Sequence, residues 1–100
     1  MGVLEDMALL RTDAEKAKYC QQRAEELRDL YYTKQRDSVD YVLTSKSLQF
    51  RDYDQKARVL IGQRRWSESY KAKSILSDQQ MFERWANMFN MSVLRRKMSE

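Results

Sequence analysis

The apolar positions fall into two long helical patterns separated by a stretch with no clear period. In the first, Met7, Leu10, Ala14, Ala17, Ala24, Leu27 and Tyr31 step by three, four or a heptad. That spacing predicts one long helix over residues 1–36 with a coiled-coil-like seam. Three of the seam positions are alanine, so a partner helix can approach closely there. At about 1.5 Å per residue the rod is roughly 50 Å long. Either the chain folds back along it or another copy does. Asp13–Lys16, Glu15–Lys18 and Glu25–Arg28 place acid before base at a spacing of three, each pair contributing a few tenths of a kcal/mol.

The second pattern lies in the last quarter. Met81, Phe82, Trp85, Met88, Phe89 and Val93 share one helical face, predicting an amphipathic helix over residues 78–98. Ser77 and Gln80 have capping-box spacing at its start. Asp78 suits the first turn, and Arg95, Arg96 and Lys97 suit the last. Met91, Leu94 and Met98 continue onto a second face, beyond what one neighbouring helix covers.

Between these patterns two readings stay open. Over residues 37–52, Val39, Tyr41, Leu43, Leu48 and Phe50 alternate as in a β-hairpin. Val39, Val42, Leu43, Lys46, Phe50 and Tyr53 equally fit a helical stripe with a turn near Ser45, which the composition favours. Over residues 53–76, Asp52 and Gln55 have the spacing of a helix start. Gly62 is then either a C-terminal αL cap between two helices or a glycine inside one unbroken helix, at a cost of about 1 kcal/mol.

Composition sharpens the fold class. There is no proline, and Gly2 and Gly62 are the two glycines. With few forced turns, long helices follow. Hydrophobic residues make up 42% and charged residues 34%, which fits a folded chain of one-domain size and not a disordered one. The expected architecture is all-α: a long N-terminal helix plus a helical hairpin, packed as a small, oligomeric bundle in a single domain over residues 1–100.

No apolar run approaches the roughly 18 residues needed to span a bilayer, and no secretory leader is read. Cys20 stands alone, so no intramolecular disulfide is expected and a reducing, cytoplasmic setting is. The net charge of +4 is uneven. Residues 1–50 carry eight Lys/Arg against nine Asp/Glu, and residues 51–100 carry eleven against six.

Residues 59–76 resemble the inter-helix region of tetratricopeptide-like αα-hairpins, with Gly62, Trp66 and Tyr70 carrying the match. The small residue expected on the second helix is Ser69 or Ala72, and the spacing from Gly62 is shorter than in that family. The resemblance implies a helical hairpin; it covers one unit and less than a fifth of the chain. The basic turn with its aromatic, followed by an alanine-containing apolar helix, also resembles small helical proteins of bacterial viruses.

Chemistry is weakly represented. There is no histidine, so Ser-His-Asp and Cys-His arrangements cannot be assembled. HExxH, CxxC, EF-hand and glycine-rich phosphate motifs are missing from the chain. Cys20 reads as a small buried hydrophobe, and Glu25–Glu26 and Asp52–Asp54 as a solvated face and a helix cap. No catalytic residue, metal site or cofactor is expected, and the chain is read as not an enzyme.

Two candidate surfaces follow. Trp85, Met91, Leu94 and Met98 form a candidate interface for a second copy or a larger protein partner, since methionine-rich surface adapts to partners. Trp85→Ala is expected to cost about 3–5 kcal/mol if the ring is buried. The alternative is a nucleic-acid interface of Lys56, Arg58, Arg64, Arg65, Lys71 and Lys73 on phosphates, with Trp66 stacking a base. A DNA-reading helix-turn-helix is disfavoured, because Arg58 stands four before Gly62 and Glu68 six after it.

Overall fold

The computed structural model describes residues 2–45 and 54–99, which form four helices: α1 (Val3–Ala8), α2 (Asp13–Thr44), α3 (Gln55–Ser67) and α4 (Tyr70–Ser99). Among the described residues there is no strand, no cis peptide and no positive φ. The chain divides into two compact units. One comprises Met1–Leu27 with Ser77–Glu100, the other Arg28–Leu76. Helices α2 and α4 contribute to both.

The N-terminal helix expected over residues 1–36 is broken, because a local cap outcompetes the continuing heptad. Thr12 Oγ1 accepts the Glu15 N–H at 3.1 Å, and Glu15 Oε2 accepts the Arg11 N–H at 3.4 Å. These two bonds cap the start of α2 at Asp13 and leave α1 as a separate six-residue helix. At its other end α2 runs past residue 36 to Thr44. Val39, Tyr41 and Leu43 are therefore helical, and the hairpin alternative fails for them. Leu48, Phe50 and Tyr53, which entered the same alternatives, lie outside the described residues.

Asp52, expected to begin the next helix, also lies outside them. Asp54 is the cap of α3, accepting the Ala57 N–H at 2.8 Å. Neither reading of Gly62 holds in full. The glycine is helical, not an αL cap, yet the helix does not continue unbroken to residue 76, because the chain turns at Glu68 and Ser69. Ser69 organises that turn. Its Oγ donates to the Trp66 carbonyl at 2.6 Å and accepts the Ala72 N–H at 3.1 Å, so it closes α3 and opens α4 together.

The start expected at Ser77 is absent, since α4 has already begun at Tyr70. The buried positions Ala72, Ile75, Phe82 and Ala86 keep one helical period straight through Ser77. A capping sequence does not end a helix whose apolar face continues across it.

In the first unit α2 and α4 pack antiparallel. Ser92 Oγ donates to Asp13 Oδ2 at 2.6 Å at one end, while Cys20, Ala24, Phe82 and Ala86 form the buried core further along. Small residues on α2 face large rings on α4, which allows close approach without a void. Val3, Met7, Tyr19, Leu27, Met81, Trp85 and Phe89 pack around this core. Ala24 and Leu27 of the α2 seam thus pack against the chain's own α4, while Ala14 stays exposed; Cys20, fully buried, completes the heptad between Ala17 and Ala24. Tyr19 ties α1 down, its hydroxyl donating to Asp6 Oδ2 at 3.2 Å.

Among the described residues of the second unit, Val42, Gly62, Trp66, Ala72 and Ile75 are buried. Gly62 marks a close crossing of α3 over α2. A Cβ built there would lie 2.6 Å from Val39 Cα, and Ser38 Oγ donates to the Gly62 carbonyl at 3.1 Å.

Candidate functional site

The candidate interface on α4 lies in the first unit. Phe82, Ala86 and Phe89 belong to the core shared with α2, while Met91, Leu94 and Met98 of the same helix are exposed. Met91 is 51% exposed, Leu94 50% and Met98 79%. Their spacing of three and four puts them on one outward stripe. From Arg84 to Ser99 the helix carries Arg84, Arg95, Arg96 and Lys97 and no acid. The stripe is therefore an apolar row edged by cations.

Trp85 stands apart from the other three. It is half-buried, packing on the core with its ring 5.7 Å from that of Phe82 in an edge-to-face arrangement. A half-buried ring leaves a smaller void on truncation, so Trp85→Ala costs less than the 3–5 kcal/mol expected for full burial. The residue that fits that expectation is Phe82, at 2% exposure.

On its other side Trp85 helps to line a groove of about 320 Å³ bounded by Leu4, Met7, Ala8, Lys16, Met88 and Phe89. The groove was not legible in the sequence. It needs α1 as a separate helix, and it draws Leu4 from α1, Lys16 from α2 and Met88 from α4. Lys16 is its one charged residue. The expected Asp13–Lys16 pair does not form, because Asp13 is taken by α4. Its Oδ2 accepts from Ser92 and lies 3.6 Å from an Arg96 guanidinium nitrogen. Among the described residues Lys16 has no ion pair; its ammonium lies over the Phe89 ring, 5.8 Å from the centroid.

The basic residues belong to the second unit. Lys56, Arg64, Arg65, Lys71 and Lys73 are exposed, and Arg58 is half-buried. Arg64 pairs with Glu68 at 3.1 Å on the surface. Trp66 does not stand among them as a stacking platform. It is 7% exposed and its ring lies against Tyr31, centroids 5.5 Å apart. Burial against α2 corrects the base-stacking role given to this side chain. Tyr70, by contrast, is 88% exposed.

Cys20 is fully buried, and burial pushes its thiol pKa up, away from the thiolate that nucleophilic chemistry requires. Among the described residues no three His, Cys, Asp or Glu side chains group so as to hold a metal ion, and no helix is long and apolar enough to cross a membrane. Comparison with known proteins finds no matching family model, no matching curated protein and no matching solved structure.

Proposed function

We propose that this chain is a non-enzymatic helical interaction protein, an assembly, adaptor or inhibitory subunit that works by self-association and partner docking through the outer edge of α4. One observation carries the reading: Met91, Leu94 and Met98 stay exposed in a row on a helix whose opposite face already supplies the core. An apolar row of this kind costs free energy in water unless something covers it. The coil-like seam of α2 competes less for the role, because Ala24 and Leu27 already pack against α4. The lone buried thiol supports a reducing, cytoplasmic setting.

Sedimentation velocity across a hundredfold range of concentration tests the reading. The wild-type chain should move from a smaller to a larger species, and Met91→Asp with Leu94→Asp should stay at the smaller size with an unchanged helical spectrum. A wild-type monomer throughout, with both substitutions silent in partner capture, would sink the proposal. A second reading is favoured by the exposure of Lys56, Arg64, Arg65, Lys71 and Lys73: sequence-independent binding of nucleic-acid phosphates, without base stacking by Trp66. An electrophoretic shift at low salt that fades steeply with added salt would support it.

A further inference from the structure

The groove beside Trp85 lies on a different part of the first unit from the Met91–Met98 stripe, and its chemistry is different. Its lining is apolar on two sides: Leu4, Met7 and Ala8 from α1, and Trp85, Met88 and Phe89 from α4. At its rim Lys16 brings one ammonium group from α2. The two acids nearest in sequence are engaged elsewhere, Asp13 with Ser92 and Arg96 and Glu15 with the Arg11 N–H. A positive charge is thus held over an aromatic face at the mouth of an apolar slot, with no carboxylate of the described residues paired to it.

We propose that this groove binds a small amphiphile whose apolar chain lies along Met7, Trp85, Met88 and Phe89 and whose carboxylate pairs with the Lys16 ammonium. Size and lining select this occupant. A volume of about 320 Å³ is at the small end of ligand pockets, which run from roughly 300 to 1,000 Å³. The α4 wall spans about one helical turn, Trp85 to Phe89. It can seat one anchor and not the row of anchors that an amphipathic partner helix presents. An extended peptide would need partners for its backbone amides. Beyond the Trp85 indole N–H and the Lys16 ammonium, no lining side chain offers a hydrogen bond. An alkyl or aryl chain asks for none, and its single charged end matches the single cation.

The experiment is an NMR titration of the full chain with decanoate, compared with decanol and decyltrimethylammonium, all below their micellar concentrations. Decanoate should shift the Trp85 indole N–H and the Met7 and Met88 methyl signals in a saturable way, with the Trp66 indole, in the other unit, as the internal control. Lys16→Met keeps an apolar stem and removes the charge. It should weaken decanoate by about fivefold, the order of effect of one partly exposed ion pair, and leave decanol unchanged. Ala8→Phe fills the groove from an exposed α1 position and should abolish both. Met91→Asp, which tests the self-association reading, should leave the titration as it was. Decanol or the cationic amphiphile binding as tightly as decanoate would overturn the proposal, as would shifts insensitive to Ala8→Phe or the absence of any shift at millimolar decanoate.

Discussion

At the scale of single residues, charge placement follows from which partner reaches a group first. Asp13 illustrates it: on an isolated helix it would pair with Lys16, one turn on, yet Ser92 and Arg96 of α4 take it instead. Tyr19 shows the same competition with a measurable consequence. Burial, then the neighbouring Asp6 carboxylate and the hydrogen bond to it, push the phenol pKa above its ordinary value near 10. The folded state therefore holds the neutral phenol more tightly than the unfolded chain does. Its contribution to stability is complete below about pH 10 and is lost as pH rises from there through the raised folded value. Tyr19→Phe should lose about 0.5–1.5 kcal/mol at neutral pH, the usual net worth of one hydrogen bond. It should also flatten the alkaline fall. Urea midpoints of both proteins between pH 8 and 11 check this, and parallel curves would remove Tyr19 from the account.

At the scale of elements, the decisive feature of the second unit is a missing side chain. Gly62 lets α3 cross α2 so closely that a Cβ would meet Val39 Cα at 2.6 Å and the Ser38 carbonyl at 3.2 Å. Both obstacles are backbone, which cannot swing aside. Gly62→Ala would ordinarily gain about 1 kcal/mol of helix propensity. Here it should instead destabilise by about 1–3 kcal/mol, the usual cost of overpacking, and lower the thermal midpoint seen by circular dichroism. A neutral or stabilising result would show that the helices separate freely. This role could not be read from the sequence, because Ser38 and Val39 stand more than twenty positions away and their helix had been expected to end at residue 36. Periodicity did reveal the all-helical class and the α4 core face of Phe82, Trp85 and Phe89. It misplaced the boundaries where a local signal and a long-range one conflict. Thr12-x-x-Glu15 is a legible capping box inside a continuing heptad, and the cap wins. Ser77-x-x-Gln80 is an equally legible box, and there the continuing apolar face of Ala72, Ile75, Phe82 and Ala86 wins. The candidate stripe of Met91, Leu94 and Met98 was legible because exposure on a second face is itself periodic. The groove was not, since it depends on where the α1–α2 break falls.

At the scale of the whole molecule, size makes an uncovered apolar edge consequential. Each unit holds about fifty residues, and chains of that size bury only about 60% of the surface they expose when unfolded. Net stability for a small domain is about 5–15 kcal/mol, so a contact contributing a few kcal/mol decides much of it. If the α4 edge is where copies meet, association and folding are linked. The unfolding midpoint then rises with protein concentration, because mass action favours the associated folded state. Two kinds of substitution separate this from ordinary core stability. Phe82→Ala opens a void in the first unit and should lower stability by about 3–5 kcal/mol at every concentration, leaving the concentration dependence in place. Leu94→Asp touches an exposed position. It should barely change the midpoint at the lowest concentration and should remove its rise with concentration. Thermal unfolding of wild type and both variants over a hundredfold dilution series measures both effects. A wild-type midpoint that stays fixed would remove a second copy of the chain as the cover of the Met91–Met98 row.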